Sequence, residues 1–248
     1  MRGLVSLVLL SAAACASLPR GPAPTAESLA DRLRSGRLDQ LAADADIEWF
    51  AKERVRFRAV LAARRPSAFR IEVLSPFEEP LHILASDGAS LVWQSRDAYR
   101  RGPATPSNLA LLIPIELAPS DLVDVLLGGL PQAEWRVARV TPVARPTAWR
   151  LELEDPSGRR IQVWVDPEED RVLKAVFPEP GIEARFSDFV RVSGAWIPRA
   201  VRVKTVDAEV RIRLSDPTST SPLPDAVFRL PPGPGVPVLP LVEAELGT

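Results

Sequence analysis

The residues that carry most enzyme chemistry are scarce in this sequence of 248 residues, which has one cysteine, one histidine, one methionine and one tyrosine. The lone Cys15 excludes an intramolecular disulfide, and the lone His82 leaves no second imidazole for a zinc site. No zinc-ligand spacing and no glycine-rich phosphate loop occur. His82 alternates with Leu81 and Ile83, which predicts an imidazole that faces solvent or is hydrogen bonded locally. We therefore expect no enzyme, no metal site and no cofactor.

The sequence also lacks a net charge of either sign. Its formal net charge is −1, with 25% charged residues, so no overall field favours nucleic acid or an anionic surface. The arginines are many but scattered, as in Arg54, Arg56 and Arg58, and this pattern predicts solvated strand faces rather than a phosphate-binding track. A nucleic-acid partner is therefore not expected.

Residues 1–14 have the three parts of a secretory signal: a positive start at Arg2, an apolar run over residues 3–10 and small residues up to Ala14. The apolar run is far shorter than the roughly 20 residues of a transmembrane helix. Cys15 follows, and Ala12-Ala13-Ala14-Cys15 resembles the bacterial lipobox. This resemblance implies that Cys15 receives a diacylglyceryl group and becomes the mature N-terminus. The alternative is an ordinary signal-peptidase site that releases a secreted protein.

The mature chain begins with a linker over residues 15–25 and continues with one amphipathic helix, broken or unbroken, over residues 26–43. Leu29, Leu33, Leu38 and Leu41 have helical spacing there, and Thr25 is a candidate cap. From Arg54 onward the period changes to two, which is typical of strands with one wet face.

About ten or eleven short strands alternate polar and apolar residues and are separated by turn sequences. Between them, residues 105–129 contain two short apolar helices, punctuated by Pro114 and Pro119. The pattern predicts a mainly β fold: an unclosed, strongly curved antiparallel β-barrel with a short helical lid and the N-terminal amphipathic helix. One domain over residues 26–240 is expected.

The segment from residue 216 to residue 240 is rich in proline, which a central strand cannot accept at such density. We expect it to be extended at an edge or on the surface of the sheet, followed by a C-terminal tail over residues 241–248.

The apolar residues on this curved sheet, which include most of the six tryptophans, are compatible with an ordinary core or with an apolar cavity under the helices. The candidate cavity residues are Phe57, Phe69, Ile71, Leu91, Trp93, Trp149 and Leu151 on strands, with Leu122 and Leu126 on the lid.

Several segments together resemble the LolB branch of the LolA/LolB lipoprotein-sorting superfamily. They are residues 69–84 (FRIEVLSPFEEPLHIL), Asp87-Gly88, residues 99–102, residues 113–115, residues 126–128, residues 187–189, residues 196–198 and residues 228–236. The resemblance implies an unclosed barrel with a helical lid and an apolar cavity that binds acyl chains.

The resemblance also implies a function and a cellular location. LolA-like members carry lipoproteins across the periplasm, whereas LolB-like members are lipoproteins that receive them and insert them into the outer membrane. Cys15 favours the receiving side, and Ala16 after it favours the outer membrane, with the protein facing the periplasm. The implied partners are acylated lipoproteins or lipids, the membrane surface and a LolA-like carrier. Pro76 and Phe77 occupy the place of the membrane-insertion loop.

Two other functions fit the same sequence. A structural or assembly lipoprotein would have a solidly packed sheet and would bind another envelope protein through its proline-rich tail or its turns. A periplasmic carrier would use the same cavity for other lipids or apolar molecules.

Metabolic labelling with a fatty-acid analogue tests the anchor. We expect the wild-type protein to be labelled and the Cys15→Ser variant to be unlabelled, because Cys15 supplies the only thiol in the chain. Each buried acyl methylene contributes about 0.8 kcal/mol, so two or more chains hold a protein on its membrane. If the wild-type protein carried no label, the lipid anchor would be ruled out. The reason to prefer a LolB-like receiver over a LolA-like carrier would go with it.

Overall fold

The computed structural model describes residues 18–113, 115–129, 135–219 and 221–241. The predicted signal segment, Cys15, Pro114 and residues 242–248 lie outside the described residues. Four helices and fourteen strands follow one another within these ranges. In chain order they are α1 Ala26–Ser35, β1 Gln40–Phe50, β2 Arg54–Arg64, β3 Ala68–Leu74, β4 Pro80–Asp87, β5 Ser90–Ser95, β6 Tyr99–Pro103, α2 Pro106–Ala110, α3 Pro119–Leu126, β7 Arg136–Ala144, β8 Thr147–Glu154, β9 Arg160–Val165, β10 Val172–Phe177, β11 Ile182–Val192, β12 Ala195–Lys204, β13 Glu209–Thr218, α4 Asp225–Phe228 and β14 Val238–Pro240.

All fourteen strands belong to one sheet, in the order β14-β6-β5-β4-β3-β2-β1-β13-β12-β11-β10-β9-β8-β7. Strands β1 to β6 form one antiparallel meander, and β7 to β13 form a second one. The two meanders join where β1 pairs with β13 along most of its length. The described parts of the edge strands β7 and β14 do not pair with each other. The predicted unclosed, mainly antiparallel β fold is therefore confirmed.

Alternation along the central strands separates a concave apolar face from a convex polar face. In β2, Arg56 and Arg58 face outward while Ala59 and Leu61 are buried. In β13, Val210, Ile212 and Leu214 are buried and the arginines between them are exposed. The main hydrophobic core lies on the concave face, under α1, α2 and α3.

The first helix is shorter than predicted. It begins after Thr25, whose side chain accepts a hydrogen bond from the Ser28 N–H, and ends at Gly36, not at residue 43. Leu41 belongs instead to β1, which the sequence pattern did not predict. The structure also has β6 and β14 beyond the ten or eleven expected strands.

The proline-rich segment packs on the convex face of the first meander. Phe228 of α4 is buried against Ala62 and Ala68, and the Tyr99 hydroxyl donates to the Leu230 carbonyl at 2.8 Å. Its last part, β14, pairs in parallel with β6 and covers that edge of the sheet. This segment is thus held against the fold that it follows.

Among the helices in the described ranges, none combines the length and the apolar character needed to cross a bilayer.

Candidate functional site: an apolar cavity under the helices

A cavity of about 390 Å³ lies between the concave face of the sheet and the segment that contains α2 and α3. Its wall is formed by strands β1 to β5 and β13, and its cover by Leu112, Ile113, Ile115, Leu122 and Leu126. This volume falls within the range of about 300 to 1,000 Å³ that small-molecule sites occupy. The strand residues that line it are Ile47, Trp49, Val55, Phe57, Leu61, Ile71, Val73, His82, Leu84, Trp93, Val210 and Ile212.

The lining is almost entirely apolar. Among the described lining residues His82 is the one ionisable side chain, and its ring stacks on Trp93 with 5.5 Å between the ring centroids. His82 and Val55 are exposed, whereas Leu61 and Leu84 are buried. The cavity therefore opens near the ends of the strands that carry His82 and Val55 and closes toward the interior of the sheet.

The helix α3 is tied to the first meander by a buried ion pair. Arg65, directly after β2, donates from Nη1 to the Asp124 carboxylate and from Nε to the Leu38 carbonyl at 3.0 Å. The side chains of Arg65 and Asp124 are 2% and 7% exposed. Burial lowers the pKa of Arg65 to about 10, and the nearby Arg37 lowers it too. The guanidinium is therefore still charged at neutral pH, and its ion pair with Asp124 holds α3 against the first meander.

A second ion pair ties α3 to the other meander. Arg159, in the turn between β8 and β9, donates from Nη2 to the Asp121 carboxylate at 2.5 Å. Asp121 is 9% exposed in its side chain, and the Arg159 guanidinium also lies over the rings of Trp135 and Phe177. The inward carboxylates of one short helix thus contact both halves of the sheet.

The end of α3 approaches the sheet so closely that a glycine is required. Gly129 has a φ of +83°, and a Cβ added there would lie 2.5 Å from the Phe186 ring. Any side chain at this position would push the helix away from β11 or strain the backbone.

The fold, and not the sequence, relates this chain to known proteins. No protein-family model matches the sequence, and no curated protein has significant sequence similarity to it. Solved structures do match. A LolA superfamily protein of Nitrosomonas europaea has a TM-score of 0.59 and 17% identity, covering 84% of this chain and 99% of its own.

Two further structures agree with it. A DUF1329 family protein of Desulfovibrio piger has a TM-score of 0.58 and 16% identity, and a Vibrio parahaemolyticus domain assigned to outer membrane lipoprotein sorting has a TM-score of 0.57 and 12% identity. Each covers 81% of this chain and 94% of its own. The chain has the LolA-type fold. At these identities the likeness concerns the fold, and at that level the resemblance found in the sequence is confirmed.

The LolA-type fold brings five of the nine predicted cavity residues to the cavity and leaves four in the core. Phe57, Ile71, Trp93, Leu122 and Leu126 line the cavity. Phe69, Leu91, Trp149 and Leu151 do not line it, and all four are buried in the core.

The four core residues share the concave face with the cavity but lie elsewhere along it. Phe69 and Leu91 both pair with Ser86, one step further from the opening than Ile71 and Trp93. Trp149 and Leu151 are on β8, in the second meander. The seven strand residues thus share the concave face, and the cavity occupies only part of that face.

His82 is exposed, as expected, but it does not lie on the face of β4 that its alternation with Leu81 and Ile83 indicated. Its register partner Val73 also lines the cavity, so His82 faces the concave side, and the neighbouring Leu81 faces outward with 47% exposure. Trp49 and Ile47 also line the cavity and were not predicted, because β1 was not predicted. The alternation of Ala43, Ala45 and Ile47 with acidic residues was the signal that could have located them.

The turn between β3 and β4 presents Phe77 to solvent with 87% exposure. The Ser75 hydroxyl accepts hydrogen bonds from the N–H groups of Phe77 and Glu79, both at 3.1 Å, and Glu78 has a φ of +65°. Pro76 is also exposed. In this LolA-type fold, the predicted insertion loop is thus a hydrogen-bonded turn with an apolar tip.

Replacing Asp124 tests whether the buried ion pair holds the cover. We expect Asp124→Ala to lower the free energy of unfolding by about 3 to 5 kcal/mol, because it leaves the buried Arg65 guanidinium without its counter-charge. Urea denaturation followed by tryptophan fluorescence measures the change.

The exposed pair between Asp31 and Arg34 provides the control for this variant, with side chains 71% and 61% exposed. Asp31→Ala should change stability by less than about 1 kcal/mol. If the two variants lost the same stability, the ion pair at α3 would have no special role in holding the helix.

Proposed function

We propose that this protein binds acyl chains of lipoproteins or lipids in its apolar cavity and helps to localise them to the outer membrane, where Cys15 anchors it. The observation that carries the proposal is the cavity of about 390 Å³, lined by aliphatic and aromatic side chains and covered by short helices. Hydrocarbon gains about 0.8 kcal/mol for each methylene that moves from water into such surroundings.

The partly buried residues that line the cavity support the proposal that a ligand binds there. Phe57, Ile71 and Ile113 are packed against the core but only partly buried, and Trp93 is also only partly buried. Apolar surface of this kind, gathered in one concavity, is typical of ligand-binding grooves. An acyl chain would remove it from water.

The solved neighbours support the same class of ligand. One of them is described as an outer membrane lipoprotein-sorting protein domain and another as a LolA superfamily protein. Together with the predicted lipid anchor, these names favour a lipoprotein that receives acylated cargo in the bacterial envelope.

Transfer into this cavity needs no catalysis. Acyl chains can move from a donor cavity to a more apolar one because their free energy falls, and no nucleotide or covalent step is required. We therefore propose a non-catalytic receptor, for which a LolA-like carrier is the proposed donor.

The arrangement of the proline-rich segment weighs against the scaffold alternative. Gln40 donates to the Ser221 carbonyl and accepts from the Leu223 N–H, while Arg64 donates to the Leu223 carbonyl. The segment therefore uses these hydrogen-bonding groups within its own fold. The carrier of other lipids differs only in cargo, so identifying the ligand separates it from the sorting role.

Filling the cavity tests the proposal. Val73 lines the cavity and is half-buried, so Val73→Trp should take up space that a ligand needs and should weaken the binding of a fluorescent long-chain acyl probe. If the cavity can no longer hold about two of the probe's methylenes, the affinity for the probe should fall roughly tenfold. Mass spectrometry of the purified wild-type protein should identify a co-purified acylated peptide, which Val73→Trp should lack.

The matched control places the same side chain on the opposite face. Val60 is on β2 but faces outward with 37% exposure, so Val60→Trp should bind the probe as the wild type does. Co-purification of free lipid, and not of an acylated peptide, would support the alternative of a periplasmic carrier of other lipids. Wild-type protein that reproducibly binds neither the probe nor any co-purified lipid would contradict the proposal.

Removing the apolar tip tests the predicted insertion loop. Phe77→Ala should slow the transfer of an acylated peptide from the protein to phospholipid vesicles by about tenfold, because it deletes the side chain that would enter the bilayer. Probe binding and stability should not change, since Phe77 does not line the cavity and is almost fully exposed. Val60→Ala is the control, and equal transfer rates for all three proteins would rule out insertion by this turn.

A further inference from the structure

The strand register gathers arginines on the convex face that are far apart in the sequence. Glu48 pairs with Arg56 on one side and with Arg211 on the other. Arg211 pairs with Arg202, and Arg202 pairs with Arg185. Four arginines therefore lie in one row across β2, β1, β13, β12 and β11, interrupted by a single glutamate.

A hollow of about 660 Å³ opens on this row. Ala200 and Ser187 are small residues that pair with each other in the next row and also line the hollow. Asp46 and Glu48 also line the hollow, together with Pro146 and Leu173. We call its five arginines the basic face: Arg56, Arg185, Arg202, Arg211 and Arg213.

Among the described residues, the ion pairs at and around the hollow join eight cations to five carboxylates. Asp46 pairs with Arg56 and Glu48 with Arg54, whereas each of the other three carboxylates is shared by two cations. Glu209 pairs with Arg202 at 3.3 Å and with Arg211 at 2.5 Å. Glu183 pairs with Arg185 at 2.6 Å and with Lys174 at 2.5 Å. Sharing leaves a positive excess on this face, although the whole chain has a formal net charge of −1.

Asp188 is the third shared carboxylate, paired with Arg199 at 2.7 Å and with Arg213 at 3.7 Å. Burial raises the pKa of Glu183, but the hydrogen bonds from Lys174 and Arg185 outweigh it and lower the pKa overall. Glu183 therefore stays ionised between its two cations.

The guanidinium groups of the basic face can be reached by a ligand. The side chains of Arg202 and Arg211 are 50% and 45% exposed, and that of Arg213 is 68% exposed. A guanidinium offers five donors in a planar fork, so an arginine that already contacts a carboxylate still has donors for a phosphate oxygen.

The turns at the ends of the neighbouring strands indicate which phosphate-bearing partner fits the basic face. Val206, in the turn between β12 and β13, is 87% exposed, as is Phe77 in the turn between β3 and β4. The strand register places both turns at the same end of the sheet, beside the arginine row. Apolar tips next to a basic face are typical of proteins that bind anionic membranes, where a basic patch adds a second signal to a lipid anchor.

We propose that the basic face binds the phosphate groups of anionic phospholipids and orients the protein on its membrane. The proposal rests on the proposed function only in placing the protein at a membrane. It involves the convex side of the sheet, so it is independent of the acyl-chain cavity on the concave side.

Competition between two kinds of vesicle tests the basic face. The whole protein is mixed with equal amounts of vesicles made of phosphatidylcholine alone and of vesicles made of equal parts phosphatidylglycerol and phosphatidylcholine, and its distribution between them is measured after density separation. Any contribution from the N-terminal segment is common to all variants, so the comparison among variants reports the headgroup preference of the folded domain.

We expect the wild type to prefer the anionic vesicles and R202Q/R211Q to lose about 20-fold of that preference, since a cation near an anionic surface contributes about fivefold. Added salt should reduce the wild-type preference toward that of the variant. The control R34Q/R229Q removes two exposed arginines that also pair with acids but lie outside the basic face, and it should behave as the wild type.

The outcomes separate this proposal from the acyl-binding one. R202Q/R211Q should bind the fluorescent acyl probe with unchanged affinity, because neither residue lines the cavity. A wild type that divides equally between the vesicles, or a control that loses as much preference as R202Q/R211Q, would overturn the proposal and favour an acidic protein segment as the partner of this face.

Discussion

The position of α3 above the concave face depends on its two inward carboxylates, each of which has an arginine partner from a different half of the sheet. Asp124 contacts Arg65 at the end of β2, and Asp121 contacts Arg159 in the turn between β8 and β9. An unpaired buried charge is costly, so neither carboxylate can leave its partner without a penalty of several kcal/mol. Because the pairs join the two meanders through one helix, they also fix the height of the cover, and hence the depth of the cavity.

A cover of this size cannot protect the whole concave face. The helix α3 has eight residues and α2 has five, whereas the sheet has fourteen strands. Where α3 contacts β2 and β3, Leu61 and Phe69 are buried, but Ile71 and Trp93, and Phe57 nearer the strand ends, are only partly covered. Exposed apolar area costs about 25 cal/mol per Å², and a ligand that covers it recovers this energy. The same geometry that leaves the sheet incompletely covered thus provides the driving force for binding.

Strands with a clear local alternation of polar and apolar residues could be predicted from the sequence. Features that depend on contacts between distant residues could not. The strand β2 was evident because arginines alternate with apolar residues, whereas β1 was missed because its inward positions include the weakly hydrophobic Ala43 and Ala45. Phe57 and Phe69 have the same local pattern, and their place in the strand register separates them. Phe57 pairs with the lining residue Ile47, whereas Phe69 pairs with Ser86, which does not line the cavity. The row formed by Arg202 and Arg211 was read as solvated strand faces because pairing between strands, which no local pattern records, brings the two together.

The cavity and the basic face are two sides of the same strands. In β2, Phe57 lines the cavity and its neighbour Arg56 belongs to the basic face; in β13, Ile212 and Arg211 do the same. A slip of one residue in the pairing would exchange the two faces, placing arginines under the helices and apolar side chains in water. The register between β1 and β13, where the two meanders join, therefore specifies both surfaces at once. The arrangement also places the proposed acyl-chain site and the proposed headgroup site on opposite sides of one thin sheet, so that contact between the convex side and a membrane would leave the cavity covered by α3.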